Sequence, residues 1–234
     1  MPQTSRSWRL SRSMTSSRRP RRYPIAEPQR DLDLVRLYWP VEVRPAFDAL
    51  FAIDAALAEV VMSSTQPALG AIRLAWWREA LERLDSAPAP AEPRLQAVAR
   101  QLLPKGVTGR LLAEMEDGYA ALLDDEIDAD RVAAGGAALF RAAALLLDGD
   151  APLLEKAGEI FAVATAARRG LMAIPADLDL RDLEGRRVPR RLRPLTALAR
   201  LAARDVKHAP ALEPEASPAR AVALVSHKLF GTIA

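Results

Sequence analysis

Asp124-Asp125-Glu126-Ile127-Asp128 spells a DDxxD string. Carboxylates one helical turn apart share a face and can hold Mg²⁺ against a pyrophosphate. The same string also suits the turn before a helix, where acids favour the macrodipole and cap free N–H groups. Because it falls between two helical stretches, the capping reading is the stronger and the metal site the sharper alternative. Asp54 is the other carboxylate placed for chemistry. It lies between Leu50 and Leu57 on an apolar stripe, where a carboxylate must be paired, hydrated or set in a cavity. Asp54, Asp124, Asp125 and Asp128 are therefore the candidate catalytic acids.

Two further pairs stand out. Arg168 and Arg169 interrupt an otherwise apolar stretch; they mark either a helix end meeting water or an anion site built from guanidinium forks. Trp76 and Trp77 lie beside Arg73 and Arg78, which reads as core packing with a cation–π contact or as the wall of a ligand cavity. The chain has two histidines, His208 and His227, and no cysteine. That excludes disulfides, thiolate zinc sites and a cysteine nucleophile, and leaves too few ligands for a multi-histidine metal site, so no metal is expected. No Gly-rich phosphate loop follows a strand pattern, and no serine has a histidine partner. His227 reads as a surface or packing residue.

The 234 residues carry a net charge of +3. Residues 1–22 hold seven arginines and no acid, so the tail supplies +7 and the remainder carries −4. The sequence pI of about 9.6 thus belongs to the tail. The body lacks a basic stripe interleaved with aromatics, and nucleic acid is not an expected partner. Residues 1–28 are rich in Ser, Arg and Pro and too poor in apolar residues to fold alone. They read as a disordered tail or an upstream start artefact with Met14 as another possible start, with an organelle transit segment and attachment to an anionic membrane surface or nucleic acid as alternatives. A secretory signal is excluded by the lack of an apolar h-region. Cysteine-free composition fits a reducing compartment, so the expected location is cytoplasmic, with peripheral membrane contact through the tail.

Positioning these side chains falls to helices. Abundant Ala and Leu with few aromatics favour them. Apolar residues at three- and four-residue steps predict helices over 31–39, 43–62, 67–84, 94–103, 108–122, 131–147, 153–174, 192–206 and 219–229. Over 67–84 the stripe Ile72, Trp76, Ala80 and Leu84 should face the core, flanked by Leu69, Leu81 and Trp77. Thr108 should cap the helix that follows it, and Gly135-Gly136 should let another backbone come close. Residues 175–189 are polar and irregular. The expected fold class is all-α: residues 29–234 form a single antiparallel helical bundle of about eight helices.

Several stretches together resemble the squalene/phytoene synthase family. Arg44-Pro45-Ala46-Phe47-Asp48-Ala49-Leu50-Phe51-Ala52-Ile53-Asp54 is similar to a helix near the start of that family. Pro67-Ala68-Leu69-Gly70-Ala71-Ile72-Arg73-Leu74-Ala75-Trp76-Trp77-Arg78 resembles a segment of one divergent branch, which includes proteins similar to a mitochondrial complex I assembly factor. Leu123-Asp124-Asp125-Glu126, and Ala157-Gly158-Glu159 with Arg168, fit the same likeness. The resemblance spans about 31–205 and implies the isoprenoid-synthase type of bundle. It also implies a family chemistry in which aspartate-bound Mg²⁺ draws pyrophosphate from two prenyl diphosphates joined head to head. The first aspartate motif would fall just after Glu59, where the chain has Met62-Ser63-Ser64-Thr65-Gln66; the second would fall on the Arg168 helix, which reads Arg168-Arg169-Gly170-Leu171-Met172. None of these side chains replaces an ionised carboxylate. Compared with the family, the chain also stops short of the usual C-terminal helices. The resemblance therefore implies a non-catalytic or altered member that binds a prenyl or lipid-like ligand, or a protein partner, with a cavity lined by Phe47, Phe51, Asp54, Trp76 and Arg168. The alternative is an active prenyltransferase of isoprenoid biosynthesis, using Mg²⁺, prenyl diphosphates and the displaced acids Asp54, Asp124, Asp125 and Asp128.

Overall fold

The computed structural model describes residues 30–149 and 152–234; the expected tail, 1–28, lies outside them. Among the described residues ten α-helical segments and no strands occur, apart from one isolated bridge between Arg187 and Thr232. The helices are α1 (Arg30–Arg36), α2 (Arg44–Ser63), α3 (Pro67–Arg83), α4 (Pro93–Gln101), α5 (Gly109–Ala113), α6 (Met115–Ala121), α7 (Ala129–Leu145), α8 (Pro152–Arg168), α9 (Arg193–His208) and α10 (Pro218–Phe230). Their buried apolar residues form one cluster, so the architecture is the all-α bundle that the periodicity predicts.

Proline and short polar residues set the boundaries. Pro45, Pro67, Pro93, Pro194 and Pro218 each occupy a first turn, where a missing N–H costs nothing. Thr108 Oγ1 accepts from the Leu111 amide at 3.1 Å, as expected. The Asp128 carboxylate accepts from the amides of Asp130 and Arg131 at 3.0 and 3.2 Å, which fixes the start of α7. Asp85, just beyond α3, accepts from the amides of Gly109 and Arg110 at 2.6 and 2.9 Å and so ties α3 to the start of α5. One expected helix over 108–122 is broken at Glu114 into α5 and α6.

The expected face of α3 is corrected. Its buried residues are Gly70, Leu74, Trp77, Ala80 and Leu81, whereas Leu69, Ile72 and Trp76 point outward, Trp76 being 48% exposed. The helix is apolar on two faces, so periodicity alone supports either stripe. Gly70 decides between them. A Cβ there would come within 2.8 Å of Leu123 and 2.9 Å of Ser64, so only the glycine face can lie against the end of α2.

Glycines also set the centre of the bundle. A Cβ on Gly136 of α7 would stand 2.2 Å from the Gly158 carbonyl oxygen of α8. One on Gly135 would stand 3.2 Å from Gly118 Cα of α6. The expected close approach at Gly135-Gly136 is thus made on two sides at once, drawing α6, α7 and α8 together.

Near α9, His227 of α10 is buried. Its Nδ1 lies 2.7 Å from the Thr232 carbonyl, which can only accept, so Nδ1 carries the proton; Nε2 lies 3.0 Å from Thr196 Oγ1. Burial lowers the imidazole pKa below its usual 6.5, with the charges of Arg200 and Arg193 adding to it and hydrogen bonding to backbone opposing it. The fold therefore prefers the neutral ring. This contribution to stability is present above pH 6.5 and is lost as pH falls through that value toward the lowered folded pKa. The unfolding midpoint is expected to drop as pH falls below 6.5. In His227→Gln that drop should flatten, as followed by urea titration at each pH.

Candidate functional site

A cavity lies between α2, α6, α7 and α8. Its walls are small or apolar: Gly118, Gly135, Gly136, Leu139, Phe161 and Ala162, among others. Asp54 from α2, Tyr119 from α6 and Arg169 from the residue after α8 converge on it from three directions, and Thr165 of α8 also lines it. Tyr119 donates its hydroxyl hydrogen to Asp54 Oδ1 at 2.5 Å. Arg169 donates to the Tyr119 oxygen at 3.3 Å and ion-pairs with Asp54 Oδ2 at 3.6 Å. The stripe position of Asp54, which demanded a partner, is satisfied by this pair.

Electrostatics keep the Tyr119 hydroxyl protonated and Arg169 charged. Burial, then the charge of Asp54, raises the Tyr119 pKa far above the usual phenol range, so the hydroxyl stays protonated and donates. Burial works against the Arg169 cation, but Tyr119 and Asp54 outweigh it and its pKa is raised. Tyr119 cannot serve as a base near neutral pH, and both oxygens of Asp54 are engaged. The free space measures about 30 Å³ over the centres of water-sized spheres; at roughly 10–15 Å³ per water this admits about two.

The other candidates go elsewhere. Asp124 is exposed and pairs with Arg131 at 2.8 Å, while Asp128 caps α7. Asp125 is exposed on the same turn. The four acids are not brought to one cavity: Asp54 alone lines it. Among the described residues no three His, Cys, Asp or Glu side chains gather where they could hold a metal ion. Fitting Mg²⁺ and a diphosphate to the cavity fails for the same reason, because a single carboxylate already held by a tyrosine and an arginine offers no free ligand set.

The expected cavity lining is corrected in part. Phe47 and Phe51 are buried in an aromatic run that passes from Trp39 through Phe47 and Phe51 to Phe161, with ring centroids 4.7, 4.4 and 6.4 Å apart. They support the cavity wall through Phe161 without lining it. Trp76 lies on the surface, edge-on to Trp77 at 5.2 Å. Neighbouring residues on a helix point about 100° apart, so Arg168 and Arg169 diverge. Arg168 grips Asp205 through a two-pronged contact of 2.6 and 2.5 Å and donates to the Glu213 carbonyl at 2.9 Å. Arg169, not Arg168, faces the cavity. Tyr119 was legible only as an inward-facing residue of its helix. The usable signal was the unpaired Asp54 on an apolar stripe, which calls for a cation from another helix.

Residues 25–134 match the model of the squalene/phytoene synthase family. Over that stretch, just under half of the 234 residues, the chain is similar to that family, and its all-α bundle fits the fold the likeness implies. The matched stretch includes α1 to α6 and ends within α7; Arg168 and Arg169 lie beyond it. No curated protein and no solved structure matches the chain.

Proposed function

We propose that this chain is a non-catalytic member of the squalene/phytoene synthase family that works by binding a protein partner. The observation carrying the reading is the state of the central cavity: one carboxylate, closed by Tyr119 and Arg169. Diphosphate ionisation needs carboxylates free to hold Mg²⁺, and the positions named for the family motifs carry Met62, Gln66, Gly170 and Met172 instead. The volume supports binding outside the core. Ligand pockets are roughly 300–1,000 Å³, an order of magnitude above what this cavity offers. Filling it with a prenyl chain would require parting α7 from α8 at Gly136 and Gly158, where the two backbones touch. The exposed Leu69, Ile72 and Trp76 of α3 offer an outward apolar face instead. They fall in the segment whose likeness is to the complex I assembly branch, which favours the same reading.

Melting the full chain with Mg²⁺ and a non-hydrolysable farnesyl thiodiphosphate tests the proposal. The melting temperature is expected to stay unchanged across the titration. A saturable rise that requires Mg²⁺ would overturn it.

A further inference from the structure

No described helix is long and apolar enough to cross a membrane, yet α10 turns an apolar stripe outward. Val222, Val225 and Leu229 repeat at three- and four-residue steps and are exposed, as is Phe230 at the helix end. The opposite face of α10 is buried through Ala223, Leu224 and His227. The helix carries no acid, and its exposed charge is Lys228.

Two segments extend this face. Lys228 lies over the Tyr38 ring at 4.6 Å, which places the α1–α2 connection beside the end of α10. Leu37 and Val41 of that connection are exposed. On another side the 186–193 segment is held against the helix end. Val188 donates its amide to the Gly231 carbonyl at 3.0 Å, and Arg193 donates to the Lys228 and Leu229 carbonyls at 2.7 and 3.1 Å. This segment presents Arg186, Arg187, Arg190 and Arg191, all exposed, and none forms a side-chain ion pair among the described residues. The acids nearest in sequence are Asp182 and Glu184 before the arginines, Glu42 in the α1–α2 connection and Glu215 before α10; Glu184 is drawn to Lys207 at 3.7 Å.

From this geometry we infer that the α10 face is a peripheral docking surface for an anionic lipid bilayer, with Val225, Leu229 and Phe230 entering the headgroup boundary and the arginines of 186–191 contacting lipid phosphates. An apolar stripe bordered by arginines is the pattern of an interfacial helix. Charge complementarity selects the occupant, since a neutral apolar protein face would leave four guanidiniums without anions. The basic tail expected at 1–28 is a separate element, and the test must distinguish the two.

The cysteine-free sequence makes that practical. In the full chain, Val225→Cys carries an environment-sensitive fluorophore; Ile72→Cys on α3 carries the same dye as a comparison. Vesicles of phosphatidylcholine, alone or mixed with phosphatidylserine, are then titrated in. The expected result is a blue shift at Val225 with the anionic vesicles only, absent at Ile72. Neutralising Arg190 and Arg191 together as Gln should weaken vesicle affinity roughly thirtyfold, at about 1 kcal/mol per basic residue. Vesicle binding without a shift at Val225 would assign attachment to the tail and overturn the inference. So would a concentration-dependent shift without vesicles, which would make the face a contact between copies, and so would equal shifts at both positions.

Discussion

Arg220→Met is expected to lower the unfolding free energy by about 3–5 kcal/mol, read as a fall in the urea midpoint with little change in slope. Arg220 is 1% exposed and lies between two buried carboxylates. It reaches Asp31 Oδ2 at 2.6 Å and Asp205 Oδ1 at 2.6 Å. Asp205 is gripped from its other side by Arg168, and Asp31 also accepts the Ala216 amide at 2.9 Å. Two acids and two arginines therefore balance their charges while joining α1, α8, α9 and α10. Removing one cation leaves Asp31 buried with a single backbone donor, and an uncompensated buried charge costs far more than an exposed pair contributes. Arg36→Met supplies the contrast. Its partner Asp48 is solvent-exposed, and the urea midpoint there should hardly move, because water and salt screen an exposed pair.

Gly136→Val should cost about 3 kcal/mol, or abolish folding, because the obstruction is backbone. The added Cβ meets the Gly158 carbonyl at 2.2 Å and Ala162 Cβ at 2.5 Å. No rotamer relieves such a contact; α8 would have to move away from α7. Gly106→Ala separates this effect from ordinary glycine strain. Its Cβ meets open space, but its φ of +80° is unfavourable for an L residue, so a loss of about 1 kcal/mol is expected. Denaturant titration of both variants measures the difference. The Gly136 contact also limits the cavity: Gly136, which seats α8 on α7, lines the space beside Asp54.

How far the sequence reached can be judged from these residues. Local signals were readable. Thr108 and the acidic turn at Asp128 cap helices where polar residues precede apolar periodicity, and Gly135-Gly136 marks a close approach. Faces with two apolar stripes were not readable, as α3 shows: Ile72 and Trp76 fit a helical period as well as Leu74 and Trp77 do, and the tie is broken by Gly70 meeting Ser64 and Leu123 from elsewhere in the chain. Pairings across long separations were also out of reach. Asp54 announced a need for a partner but could not say that Tyr119 and Arg169 would meet it. Arg168 and Arg169 looked like one feature and serve two, because the last residue of α8 and the one after it diverge toward Asp205 and toward Asp54. The Asp31–Arg220 pair joins the two ends of the described chain, and nothing in either local stretch signals it.

Product analysis tests the central claim most directly. The purified chain is incubated with Mg²⁺ and either farnesyl or geranylgeranyl diphosphate, and the organic extract is separated and identified by mass. With Asp54 closed by Tyr119 and Arg169, and no second carboxylate in the cavity, the diphosphate is predicted to be recovered intact. A head-to-head condensed hydrocarbon, or its cyclopropyl diphosphate precursor, would contradict the account.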